Sequence, residues 1–221
     1  GEKSSESIAD TLINGIFGRV TGDAGSRFVI AIGQAIFLVL FLILYGDCIA
    51  ARQRIGAVYF FSRISNRKKW ILKEFVWLLF YSVLYTFCFV GMHMIFSIWG
   101  SSEADLSGTL FKVAFQIGLF LTLLLFEMAV LCNLFCAAGG SAIGILLSML
   151  CVIGLIMWST AEVDGMVSEM INPMWLSADI IENGGSYIQK IIIVFLQTAI
   201  CAVGTGYYLA KRDLFAREGE G

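Results

Sequence analysis

The stretch "FVIAIGQAIFLVLFLILY", Phe28 to Tyr45, runs for 18 residues without a charge. As a helix rising 1.5 Å per residue it is about 27 Å long, close to the thickness of a bilayer's hydrocarbon core. Four more apolar runs follow it: Phe75 to Trp99, Leu110 to Cys136, Ala142 to Trp158 and Tyr187 to Leu209. Their apolar residues are continuous rather than alternating, and a segment facing lipid must satisfy its own backbone, so the runs are predicted to be helices and not strands. The predicted fold is all-α: a polytopic membrane helix bundle forming one domain over residues 1–221.

Composition agrees. Hydrophobic residues make up 58% of the 221 and charged residues only 14%, against about 25% charged in soluble domains. A soluble chain of this size would need more polar cover. The net charge of -2 does not point to nucleic acid as a partner.

The basic residues are unevenly placed. Seven of the 15 fall between the first two runs: Arg52, Arg54, Arg63, Arg67, Lys68, Lys69 and Lys73. Lys211, Arg212 and Arg217 follow the last run. Alternating spans put both groups on one side, and the excess of Lys and Arg names it the cytoplasm of a cell membrane. The opposite side is acidic, with Glu103 and Asp105 in one loop and Glu162, Asp164, Glu169, Asp179 and Glu182 in the loop 159–186. That loop contains Pro173 and is expected to hold two short interfacial helices broken near Asn172. Residues 1–27 then lie outside the cell, which implies a further span ahead of them and six in the intact protein.

Chemistry-bearing residues are few. Glu127 sits inside the third run, where an acid costs about 2.5–3.5 kcal/mol on insertion scales. It is expected either to bond a Ser, Thr or Asn on a neighbouring helix or to line a translocation path together with Asn133. Lys112 and Lys190 lie near helix ends and are expected to snorkel. The six cysteines read as reduced thiols packed as small hydrophobes, Cys132 and Cys136 included. His93 is the one histidine, so a histidine-rich metal site is excluded, and no metal ligand set is expected. A nucleophilic role for Ser141 needs a base within reach. His93 falls in the outer half of its span and Ser141 at the cytoplasmic edge, so no catalytic residue and no enzyme activity are expected. Small residues in "CAAGGSAIG", Cys136 to Gly144, let the third and fourth spans approach closely.

The loop 46–74 divides in two. "RKKWILKE", Arg67 to Glu74, leads into the second span as a basic, Trp-anchored interface that attracts anionic membrane lipids. The part before it carries Tyr59, Phe60 and Phe61 between arginines. Aromatic residues rimmed by Arg suggest a docking site for protein. So short a loop cannot build a nucleic-acid reading module.

In its layout the chain resembles the membrane subunit of a type 2 ABC exporter, the permease class that includes lantibiotic- and bacteriocin-immunity transporters. "RQRIGAVYFFSRISNRKKWILKE" is similar to the charged, Gly-containing stretch and coupling helix of those permeases. "INPMWLSADIIENGG" is similar to their broken outer helix pair. "GYYLAKRDLF" is similar to the end of their last span. Arg52 departs from the pattern, since a Glu is common there. The resemblance implies six spans, a cytoplasmic ABC ATPase as partner, and a second permease copy or paralogue. ATP and Mg would be held by the ATPase, with no cofactor bound directly by this chain. Arg52, Arg54, Gly56, Tyr59, Phe60, Phe61, Arg63 and Arg67 would form the ATPase-coupling surface. The implied function is export of amphipathic peptides or drugs. A membrane scaffold or sensor subunit that recruits a cytoplasmic partner through the same loop is the alternative.

Overall fold

A computed structural model describes residues 12, 13, 16, 24–56, 67–100, 108–160, 172, 181 and 184–211. Among these no strand occurs. The helices are α1 (Ala24–Tyr45), α2 (Cys48–Gly56), α3 (Arg67–Gly100), α4 (Gly108–Gly139), α5 (Ser141–Thr160) and α6 (Gly184–Lys211). Five helical stretches are long and apolar enough to cross a membrane, as the apolar runs predict. Each extends beyond its run at one end or both, by up to eight residues, because polar and basic flanks continue a helix once the apolar centre has nucleated it.

The bundle is organised around α4. In its most apolar window 72% of residues are buried, against 22–33% in the other four spans. The apolar character of α4 therefore serves helix packing, whereas that of α3, α5 and α6 mostly faces outward. Phe87, Phe115, Ile200 and Val203 are among the large side chains left exposed, as a lipid-facing belt requires.

Aromatic rings join α1 to α3. Phe37 lies 4.1 Å from Phe89 between ring centroids, and Tyr45 stacks on Tyr81 at 4.8 Å. The Tyr85 hydroxyl donates to the Phe37 carbonyl at 3.2 Å, so the polar tip of the ring is satisfied within the apolar seam. Two serines use their hydroxyls within their own helix: Ser82 donates to the Leu78 carbonyl at 3.0 Å and Ser148 to that of Gly144 at 2.8 Å.

The turn between α4 and α5 is one residue long. Gly140 has φ +94°, the left-handed region that favours glycine. Its N–H donates to the Cys136 carbonyl at 3.0 Å, which closes α4, and its own carbonyl accepts from Gly144 N–H at 2.9 Å, which opens α5. Gly144 lies against α4: a Cβ there would stand 2.3 Å from the Cys136 nitrogen and 2.4 Å from its Cα. The small-residue segment predicted to allow close approach thus does so at one position, backbone to backbone.

Three residues of the N-terminal segment, Leu12, Ile13 and Ile16, are helical and buried. Their spacing places them on one helix face, so part of 1–27 contributes to the core. Apart from Asn172 and Ile181, the expected outer helix pair in 159–186 lies largely outside the described residues, as do Arg212 and Arg217.

Candidate functional site

Arg52, Arg54, Arg67, Lys68, Lys69, Lys73 and Lys211 gather at one end of the bundle, where α1 stops, α3 begins, α4 turns into α5 and α6 ends. Gly206 of α6 faces Phe75 and Ile71 of α3, which brings Lys211 toward the start of α3. Lys211 Nζ sits 4.4 Å from the centroid of the Tyr207 ring.

At this end the chain breaks after Tyr45. Gly46 N–H still donates to the Leu42 carbonyl at 2.8 Å, and a Cβ on Gly46 would meet that carbonyl oxygen at 2.4 Å and the Cys132 sulfur at 2.7 Å. Helix α2 then restarts, with the Asp47 carbonyl accepting from Ala51 N–H at 2.8 Å. A new helix exposes N–H groups that have no partner within it. The side chain of the preceding residue normally accepts from the second or third of these. Here Asn133, 84 residues away on α4, takes that place: its Oδ1 accepts from Ile49 N–H at 2.9 Å and from Ala50 N–H at 3.1 Å. Its Nδ2 donates to the Ala129 carbonyl at 2.8 Å, and the whole side chain is buried. Asn133 is thus an N-cap supplied across helices.

Freed from capping, Asp47 lies 3.6 Å from the Arg54 guanidinium, which also donates to the Ser141 hydroxyl at the start of α5. Arg52 pairs with the buried Glu74 of α3 at 2.5 Å. Helix α2 therefore buries Ile49, Ala50 and Gln53 and holds Arg52 and Arg54 on its outer side. It is tied to α3 by Arg52, to α4 by Asn133 and to α5 by Arg54. The loop was expected to carry a coupling helix; a short helix is present over Cys48–Gly56, and these side chains fix it against three spans. Gly56 is its last residue, and Arg67 is the first of α3. Tyr59, Phe60, Phe61 and Arg63 lie outside the described residues.

Glu127 and Asn133 do not share a site. Glu127 faces α6, with its Oε2 3.3 Å from Thr198 Oγ1 and its Oε1 3.9 Å from Cys201 Sγ. The expected bond to a hydroxyl on a neighbouring helix is present. Lys112 is exposed, consistent with snorkelling. Lys190 is not: it is fully buried, and its ammonium donates to the Asn172 carbonyl at 2.5 Å. Asn172 in turn donates from Nδ2 to the Leu155 carbonyl at 3.1 Å. The snorkelling expectation fails here because an acceptor in the segment before α6 reaches the ammonium inside the fold. Lys190→Met should leave that carbonyl without its cation and lower stability by about 1–3 kcal/mol, read from thermal unfolding in detergent.

Ser141 is engaged with Arg54, and His93 bonds the Phe89 carbonyl at 3.0 Å within its own helix. The two are not brought together. No group of three or more His, Cys, Asp or Glu side chains able to hold a metal occurs among the described residues. No family model, curated protein or solved structure matches this chain.

Proposed function

We propose that this chain is the membrane-spanning permease subunit of an ATP-driven exporter of the ABC type, moving amphipathic peptides or drugs outward. A separate cytoplasmic ATPase binds ATP and Mg, and two permease copies or paralogues form the pathway. The basic end faces the cytoplasm of the cell that carries the exporter.

The supporting observation is the fixing of α2. A partner that pushes on the segment after Gly56 acts on a helix joined to α3, α4 and α5 by Arg52–Glu74, Asn133 and Arg54–Ser141. Helix α4 touches every other span, so force applied at α2 reaches the whole bundle. A flexible loop would absorb it. In this reading Asn133 transmits, Glu127 lines the path, and Tyr59, Phe60, Phe61 and Arg63 receive the ATPase.

The test is alanine substitution at Tyr59, Phe60 and Arg63 in the assembled transporter. Loss of one interface anchor is worth about tenfold or more in coupling. Substrate export should fall by about that factor while ATP hydrolysis by the partner continues. Unchanged export would sink the reading. Co-purification of an ATPase without any export activity would favour the scaffold or sensor alternative.

A further inference from the structure

We infer that Glu127 is an intramembrane proton-binding site, held as a neutral carboxylic acid that donates a hydrogen bond to Thr198. The Thr198 hydroxyl has too few protons for both of its oxygen neighbours. Thr198 Oγ1 lies 2.8 Å from the Val194 carbonyl and 3.3 Å from Glu127 Oε2. A threonine hydroxyl has one proton. The backbone carbonyl can only accept, and it is the closer oxygen, so that proton goes to Val194. The remaining lone pairs of Oγ1 then face Glu127. Two sets of lone pairs repel; a carboxylic acid O–H pointed at Thr198 removes the conflict. The other carboxyl oxygen accepts from the Cys201 thiol, a weak donor.

Among the described residues no cationic group meets Glu127 to hold a carboxylate. The titratable group meeting Glu127 from α6 is the Cys201 thiol. From α3, Phe75 packs against the neighbouring Phe126, with ring centroids 6.3 Å apart. Among the described residues no hydrogen bond, ion pair or electrostatic interaction reaches Glu127 from α1, α2, α3 or α5. The other two described buried or half-buried carboxylates, Glu74 and Asp47, are engaged with Arg52 and Arg54 at the basic end. An unpaired charge in that position is disfavoured by several kcal/mol, about the insertion cost of an acid at a helix centre. Two turns further along α6 from Thr198, Thr205 buries a hydroxyl that no group among the described residues satisfies, so buried polar groups continue along α6 toward the basic end.

Ionisation of Glu127 would draw the Thr198 proton away from the Val194 carbonyl and leave an unpaired carboxylate in the α4–α6 seam, which favours opening or hydration of that seam. Proton binding at Glu127 is thus linked to closure of that seam. This holds whether or not the chain is a permease.

Difference infrared spectroscopy on the full chain in lipid tests it. Unsubstituted protein at neutral pH should show a protonated-carboxyl C=O band that is lost in Glu127→Gln and disappears at alkaline pH. Thr198→Val removes the acceptor and should shift the same band to higher frequency without abolishing it. That second variant keeps the test decisive where Glu127→Gln fails to fold. Absence at neutral pH of any band sensitive to either substitution would overturn the inference.

Discussion

Gly144→Val is expected to prevent this bundle from assembling. The added Cβ would stand 2.3 Å from a backbone nitrogen and 2.4 Å from a Cα of α4. Neither atom belongs to a flexible side chain, so relief requires α5 to move as a body. That movement would break the α4–α5 seam along its length, including the Gly140 turn and the bond from Arg54 to Ser141. Overpacking commonly costs about 1–3 kcal/mol where side chains can yield; against backbone the cost is larger. The check is yield and monodispersity in mild detergent. Gly154→Val, at a position with nothing within 4 Å, serves as control and should behave as the unsubstituted protein.

Asn133→Leu has the second largest expected effect. It preserves volume approximately but leaves the N–H groups of Ile49 and Ala50 without their acceptor in a buried setting. Each unsatisfied donor costs about 1–3 kcal/mol. Helix α2 should detach or fray, and amide hydrogen exchange at Ile49 and Ala50 should accelerate while the centre of α4 stays protected. Asn133→Asp keeps the accepting oxygen but loses the Nδ2 donor to the Ala129 carbonyl, and should restore part of the protection. Equal exchange in the leucine variant and the unsubstituted chain would show that α2 is held by other means.

Much of the fold was legible in the sequence because lipid exposure imposes a one-dimensional signal. A span must be apolar along its length, so the five runs found their helices, and the uncharged stretch at Phe28 predicted α1. Helix α2 gave no such signal. "CIAARQRIG" mixes apolar residues with Arg52, Gln53 and Arg54, and its cap comes from a residue 84 positions later. Such a helix is stabilised by tertiary contact, which neither propensity nor periodicity records. Asn133 is legible as a polar residue inside a span, but its proximity to Glu127 in sequence suggests a shared path. Six residues apart on a helix they point to different neighbours, one to α6 and one to α2. Lys190 shows the same limit: position near a helix end is compatible with snorkelling or burial, and the deciding acceptor, Asn172, lies in another segment.

The one-residue turn at Gly140 also bears on how the protein is made. Two helices of 32 and 20 residues are joined by a link too short to be drawn out into water as a loop. Once both are inserted, a link this short holds them side by side as an antiparallel hairpin. Because α4 is the helix that all the others touch, that hairpin offers the surface against which the remaining helices pack.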